Sequence, residues 1–436
     1  MPPPKKPIHI AICGGGLGGL ALAIGLLSSP HITFTIYESA PALGEIGAGV
    51  GFGANSHKAI QLISPELWDR YRTRATFNGW ASKSRTWFDF SVGTGPDEGK
   101  RIIEVLMDSD ETQSTVHRAH FVEELVKFLP EGVAEMSKRV VSIEQPAGEK
   151  VRILFADGTD ARADAVVGAD GIRSACRAFV VGDSPALLPR FTNTYAYRGL
   201  IPMDEAVAEL GEEKARNRQM YLGDNGHIIT FPVAKGNIMN IVAFHGAEGE
   251  WEGPWVKGDQ KEGLERDFAG WGAAPSGIIK LLKSPDVWAL YEHPPTPTYH
   301  NAHVALLGDA AHASTPHFGA GAGMALEDAL VLSRLLPLCD GAGDIQRAFR
   351  AYDAVRVPRT QAVVRESREQ GRVLDMRGEG VGADLDRLRE VLDERVRWIW
   401  GVDLEEHCRE AVRGFWKGGG GCGVMGWMRR CLDIWW

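Results

Sequence analysis

The stretch Ile8-His9-Ile10-Ala11-Ile12-Cys13-Gly14-Gly15-Gly16-Leu17-Gly18-Gly19 decides the fold. Its first six residues read as an apolar strand. Gly14, Gly16 and Gly19 follow in G-x-G-x-x-G spacing, and an apolar helical run, Leu20 to Leu27, continues from them. A second strand, Ile32 to Tyr37, ends at Glu38, 19 residues beyond Gly19. Each part has a mechanical task in holding a dinucleotide. Gly14 permits a tight turn, Gly16 with Leu17 lets backbone approach a pyrophosphate, and Gly19 lets the helix pack closely on the strand. The helix N-terminus offers unpaired N–H groups and a positive dipole end to the phosphates. Glu38 stands where a carboxylate accepts hydrogen bonds from ribose hydroxyls, and its charge disfavours a 2′-phosphate. The spacing predicts bound FAD or NAD, not NADP.

At 436 residues the chain is too long for one ordinary core. Its hydrophobic content of 44% and charged content of 24% are those of a globular protein. A net charge of −9 gives no support to a nucleic-acid partner. The segment Met1-Pro2-Pro3-Pro4-Lys5-Lys6-Pro7 lacks the apolar core of a signal peptide, and no run of 18 apolar residues predicts a membrane span. Six scattered cysteines form no C-x-x-C pair, so reduced thiols, no metal site and a cytoplasmic location are expected.

Nucleotide-type strands recur in three separated pieces: the first 40 residues, about 165–170 and about 304–310. β-rich stretches lie between them. This predicts an α/β fold, a Rossmann-like nucleotide domain with an inserted β-sheet domain and a helical C-terminal region. The expected boundaries are 1–190 for the first part of the nucleotide domain, with a β-rich excursion near 80–111. Residues 191–295 form the inserted sheet domain, 296–345 the last part of the nucleotide domain, and 346–436 the helical region. Arg387 to Trp400 reads as one amphipathic helix, Trp251 to Gly258 as a loop and Lys417 to Gly423 as a flexible linker.

Two further segments carry chemistry. Asp164-Ala165-Val166-Val167-Gly168-Ala169-Asp170-Gly171 is a strand ending in an acidic turn. In Gly308-Asp309-Ala310-Ala311-His312-Ala313-Ser314-Thr315-Pro316-His317-Phe318-Gly319-Ala320-Gly321-Ala322-Gly323, a buried strand ends in an acid, and small residues lead into a helix. Asp309 is placed for sugar hydroxyls, and the turn supplies a second helix N-terminus.

Together the three segments resemble the FAD-dependent aromatic monooxygenases of the para-hydroxybenzoate hydroxylase class. The resemblance covers about residues 8 to 370. Glu45-Ile46-Gly47-Ala48-Gly49-Val50, Tyr197-Arg198-Gly199-Leu200 and Arg397-Trp398-Ile399-Trp400 look most like fungal salicylate hydroxylases and related monooxygenases of phenolic polyketides. It implies FAD contacts at Glu38, Gly51, Arg118, Asp170, Asp309 and Ala322. It also implies a cycle in which NADH or NADPH reduces FAD and O2 forms a C4a-hydroperoxyflavin that hydroxylates an electron-rich ring. The partners implied are a small phenol, O2 and NAD(P)H. A flavin halogenase would carry a Trp-x-Trp-x-Ile-Pro motif, which is absent. An NAD-linked dehydrogenase would lack the Asp309 segment, and a flavoprotein scaffold would not respond to phenols.

The catalytic candidates are Arg198 and His317. Arg198 keeps its charge and can bind a planar anion at two points. His317 can carry a proton near neutral pH. His227, Phe231, Pro316 and Phe318 are expected to line the substrate pocket. Related dearomatising enzymes carry a tyrosine at the position of Phe231, and phenylalanine cannot donate that hydrogen bond. This favours plain or decarboxylative hydroxylation, with salicylate or a salicylate-like phenol as the leading substrate and a larger phenolic natural product as the alternative.

Overall fold

The computed structural model describes residues 4–44, 49–107 and 113–417. The expectations for Glu45-Ile46-Gly47-Ala48, for the glycine run after Lys417 and for Trp435-Trp436 lie outside the described residues. Strands Val304–Leu306, Ala165–Gly168, Ile8–Cys13 and Ile32–Tyr37 lie side by side in that order, all parallel. Ala134–Glu135 extends the sheet in parallel at one edge, and His300–Asn301 pairs antiparallel at the other. Apart from His9 and the two threonines of Ile32–Tyr37, the four side-by-side strands are apolar on both faces, as a sheet covered by helices on both sides requires.

Register fixes what these strands deliver. Cys13 is level with Tyr37 and with Gly168, and Gly168 is level with Leu306. The chain therefore leaves all four strands at the same height. Gly14, Glu38, Ala169 and Leu307 emerge together around a crevice beyond the carboxyl ends, at the point where the strand order reverses.

Helix Leu17–Leu26 contains no charged residue and is buried nearly all round. It is held between this sheet and helix Gly321–Leu335, and all-round apolar character is what such a position demands.

The inserted sheet has eight strands, in the order Val256–Lys257, Asp286–Glu292, Arg190–Pro202, Ile238–Gly246, Gly226–Val233, Gln219–Gly223, Thr86–Val92 and Arg101–Leu106. Thr86–Val92 lies parallel to Gln219–Gly223. The excursion near 80–111 thus joins the same sheet as the 190–292 strands. Within the stretch read as a loop, Val256 and Lys257 pair with Trp288 and Val287. Alternation divides the sheet into two apolar faces. Tyr197, Ile228, Ile241 and Val287 pack under helices Met203–Leu210 and Ala273–Leu281. Ala196, Ile229 and Phe244 face Phe318, Met324 and the C-terminal helices.

One 30-residue helix, Ile345–Leu374, about 45 Å long at the usual rise, ties the two units together. Its first half packs Ala348, Phe349 and Tyr352 into the nucleotide core, and its last half packs Val363, Val373 and Leu374 against the inserted sheet. The single helix expected over Arg387 to Trp400 is two, Leu385–Glu394 and Arg397–Trp400. Arg395, at the break, donates to Gln370 at 2.9 Å and to the Glu366 carbonyl at 3.0 Å. Leu388, Leu392, Val396 and Ile399 stay buried across the break, so their period reads as continuous in sequence.

Candidate active site

The glycine turn has the shape that a dinucleotide needs. Gly14 has φ +116°, and a Cβ there would sit 2.2 Å from the Ala169 carbonyl oxygen, so neither conformation nor space admits another residue. At Gly16 a Cβ would meet only the Arg118 guanidinium, at 3.9 Å. The open side of Gly16 thus faces the crevice, with a cation across it at the start of helix Arg118–Val126. The Glu38 carboxylate accepts the Gly15 N–H at 2.8 Å, the Ala40 N–H at 2.7 Å and the Ser39 hydroxyl at 3.1 Å. A carboxylate has about four lone-pair sites, so these three donors leave one for a ribose hydroxyl.

The Asp170 carboxylate is bonded within its own turn. It accepts from the Ser174 hydroxyl at 2.5 Å and from the Ala175 and Cys176 N–H groups at 2.8 and 3.1 Å. It shapes the turn that opens helix Ala175–Val181. Burial raises its pKa from the usual aspartate value.

Asp309 lies exposed just after Gly308, whose φ is +62°. Pro316 and Gly319 are exposed on the following turn, and Ala322 is half-buried in the first turn of helix Gly321–Leu335. Gly51 pairs with Thr115 on the short ribbon that leads into Arg118. These residues gather around one crevice. Its open glycine side, a nearby guanidinium and the exposed Asp309 carboxylate fit FAD.

The inserted sheet supplies the opposing wall. Ala196 is level with Phe244 and His227, Arg198 with Val242 and Ile229, and Leu200 with Asn240 and Phe231. Residues level with one another in an antiparallel sheet point to the same side. Arg198, His227 and Phe231, far apart in sequence, therefore share the face that carries the Phe318 and Met324 cluster. The Arg198 guanidinium lies 5.1 Å from the centre of the Trp288 ring. Burial, with Arg118 nearby, lowers its pKa, while Asp286 opposes the shift.

His317 and Phe318 are buried, whereas the residues on either side of them are exposed. The His317 ring is 4% exposed, and a Cβ on Gly371 of the long helix would lie 2.6 Å from its Cε1. Its centre lies 5.4 Å from that of His227 and 5.2 Å from that of Phe244. Burial, with His227 beside it, pulls its pKa down to about 3, so the ring is neutral at pH 7. His317 thus faces the sheet and the long helix rather than open space.

Three features escaped the sequence reading. Asp375, just past the long helix, accepts from His227 Nδ1 at 2.7 Å. Trp288 supports Arg198. Glu327 and Asp328, fully buried, bind Arg356 at 2.6 and 2.7 Å. Two of them leave a trace in the sequence. An acid at a helix C-terminus opposes the helix dipole, and two adjacent acids inside the apolar run Met324 to Leu332 require buried cations. Among the described residues no cluster of His, Cys, Asp or Glu could hold a metal ion, and no helix is long and apolar enough to cross a membrane.

Comparison with known proteins places this geometry. Residues 291–367 match the model of an FAD-binding domain family. The chain is 44% identical to a 6-methylsalicylate 1-monooxygenase of Aspergillus terreus over 413 residues, covering 94% of this chain and 92% of that protein. It is 41% identical to a salicylate hydroxylase of Pseudomonas putida, covering 96% and 98%. The solved structure of a salicylate hydroxylase substrate complex superposes with a TM-score of 0.83 at 37% identity, covering 93% of this chain and 98% of that one. A crevice shaped for FAD, an inserted sheet facing it with Arg198, and likeness over the whole length agree: the chain belongs to the FAD-dependent monooxygenases of the salicylate hydroxylase type.

Proposed function

We propose that this monooxygenase hydroxylates salicylate or a salicylate-like phenol at the carbon bearing the carboxylate, releasing CO2 and leaving a catechol. One O2 and one NAD(P)H are consumed per turnover, and the second oxygen atom leaves as water. The observation that carries this reading is the placement of Arg198. A guanidinium sits on a sheet face that also carries Phe231, Val242 and Phe244, with Arg118 of the FAD crevice nearby. A fixed, always-charged fork in apolar surroundings is suited to a carboxylate or phenolate on a flat ring. The salicylate-type substrates named for the relatives support the same class.

In this reading FAD is held by the Gly16 and Leu17 turn and Arg118 at its pyrophosphate, by Glu38 at its ribose, and by Asp309 with the Gly321–Ala322 helix start beyond. Asp170 and Gly51 shape the walls. FAD, when bound, supplies reduction by NAD(P)H and the activation of O2. The chain's own residues do the rest. Arg198 orients and charges the ring, Phe231 and Phe318 exclude water, and Pro316 presents the turn beside the substrate. The buried rings of His317 and His227 pack on Phe244. Phe231 offers no hydroxyl to partner Arg198, which favours aromatic products over dearomatised ones.

The test is oxidation of NADH and of NADPH by the purified yellow protein, with and without a panel of phenols, with products identified by mass. Salicylate-stimulated oxidation with catechol and CO2 is expected. Stimulation only by larger phenols, with a product heavier by one oxygen, would transfer the assignment to natural-product hydroxylation. No stimulation by any phenol would overturn it.

A further inference from the structure

We propose that Trp288, Val256 and Leu200 form an apolar shelf beside Arg198 that binds an uncharged, apolar substituent on the ring of the substrate. The enzyme then takes a salicylate extended by an alkyl group more tightly than salicylate itself. The inference rests on the proposed function, in which Arg198 holds the carboxylate, and it narrows the substrate class of that site.

Strand pairing puts these residues together. Trp288 is level with Ala196, and Val256 is level with Trp288. Arg198 and Leu200 follow Ala196 at alternate positions of strand Arg190–Pro202. All five side chains therefore lie on the face that carries Phe231 and Phe244. The direct partner of Arg198 across the pair is Asp286, so Trp288 is its diagonal neighbour. Leu200 lies about 7 Å further along the strand at the usual rise. The guanidinium, 5.1 Å from the centre of the Trp288 ring, is thus flanked by apolar side chains in both directions along its strand.

Exposure separates this edge of the face from the rest. Ala196, Ile229 and Phe244 are buried in the cluster with Phe318, Met324 and the C-terminal helices. Trp288, Val256 and Leu200 are 40%, 39% and 38% exposed, and Arg198 is partly exposed between them. Single exposed apolar residues are ordinary, whereas several around one cation, continuous with a substrate pocket, mark a binding surface. Three side chains fall far short of the roughly 20–30 residues a side of a stable protein interface, which leaves the substrate as the occupant. A guanidinium fork holds a carboxylate in its own plane, and a substituent on the ring so held comes against the side chains that flank the fork. Salicylate has no group to reach them and leaves the shelf in water. An alkyl group covers it, and each methylene taken out of water tightens binding. Asp286, exposed and level with Arg198 on the same face, repels a second anionic group there, so the substituent is uncharged.

The test is the Kd of salicylate and of its methyl, propyl and pentyl derivatives at each free ring position, measured by fluorescence titration of the FAD-loaded wild type, Val256→Ser, Leu200→Ser and Trp288→Ala. In the wild type, at the ring position that faces the shelf, each added methylene should tighten binding by up to about fourfold. A chain of the same length ending in a carboxylate should bind about tenfold more weakly than the alkyl chain. In Val256→Ser and Leu200→Ser, both changed at exposed positions, the gain per methylene should fall to about twofold or less. The Kd of the pentyl compound should rise more than that of salicylate. Trp288→Ala should flatten the series further and weaken salicylate as well, because it also removes the ring beside Arg198. Alkyl groups that tighten binding at no ring position, a carboxylate-ended chain bound as tightly as the alkyl chain, or the same gain per methylene in all three variants overturns the inference and leaves the functional reading intact. A change of oligomeric state in Val256→Ser or Leu200→Ser with the alkyl gain kept assigns the shelf to contacts between copies of the chain and overturns the inference equally. A wild type that binds neither salicylate nor its alkyl derivatives overturns the functional reading and the inference with it.

Discussion

The Asp328 carboxylate accepts the Gly308 N–H at 2.9 Å, and so helix Gly321–Leu335 holds the turn that presents Asp309 to the crevice. The same oxygen accepts from His312 Nε2 at 2.6 Å, and the other from Arg356 Nε at 2.7 Å. Glu327 completes the network, accepting from Arg356 and Arg359 at 2.6 and 2.7 Å and from Asn55 at 2.8 Å. Two acids and one arginine at 0% exposure are costly to desolvate, and their full hydrogen bonding offsets that cost. In return, the turn at the crevice is positioned by the long helix that also reaches the inserted sheet.

Replacing Asp328 by Asn keeps the shape and removes the charge. Arg356 is then left with one carboxylate in a dry interior, and loss of one partner of a buried pair typically costs about 3–5 kcal/mol. The expected outcome is a lower melting temperature together with loss of FAD on gel filtration. A variant that keeps both wild-type stability and yellow colour would show that the network does not hold the turn.

Gly14 and Gly16 should fail in different ways. Gly14→Ala puts a Cβ 2.2 Å from a carbonyl oxygen at φ +116°, so it should destabilise the protein even without FAD. Gly16→Ala meets nothing closer than 3.9 Å. Its apo stability should stay within about 0.5 kcal/mol of wild type. FAD affinity should nevertheless fall about tenfold or more, because the methyl occupies the approach to the pyrophosphate. Denaturation of the apoprotein and fluorescence titration with FAD separate the two effects.

Arg198→Lys tests whether a fork or only a charge is needed. A lysine places one compact cation where the guanidinium lay 5.1 Å from Trp288. A charge-assisted hydrogen bond is worth about 1.5–3 kcal/mol, so KM for a carboxylated phenol should rise about 10- to 150-fold. Arg198→Ala should be worse. An unchanged KM in both variants would remove Arg198 from the substrate site.

The strand ends and turns around the crevice were legible because their signals are local. Gly14 and Glu38 stand directly after apolar strands and Asp309 three residues past the end of another, and parallel strands in register bring these ends together. The substrate half depends on pairing. That Arg198 lies level with Val242 and Ile229, and shares a face with His227, follows from antiparallel register, which sequence alone does not specify. His317 follows a proline in a glycine-rich turn, and that local pattern leaves the direction of its ring open. The structure turns its ring inward because the long helix presents Gly371 there, and a side chain at that position would clash. Asp375 is 148 residues from its partner, and only its place at a helix C-terminus distinguishes it from a solvated acid.

Acid should weaken this protein well above the usual carboxylate range. Burial, with the neighbouring charges, lowers the pKa of His57, His293 and His317 to about 3 and that of His407 to about 4. In the unfolded chain these rings take up protons below about pH 6.5, while in the folded protein they remain neutral. The unfolded state then binds more protons, so stability falls as pH drops from about 6.5 towards 3 to 4. Each ring contributes up to about 1.4 kcal/mol per pH unit in that window. Glu327 acts in the same direction at lower pH. Burial pushes its pKa up, but Arg359 and Arg356 outweigh this and hold it at about 2. The stability it contributes above the ordinary glutamate value is lost as pH falls through that range. Denaturant unfolding of the holoprotein at a series of pH values should show a steep decline between pH 6.5 and 4. A flat stability profile from pH 7 to 5 would mean that these histidines have solvent or ligand partners that keep their pKa near normal.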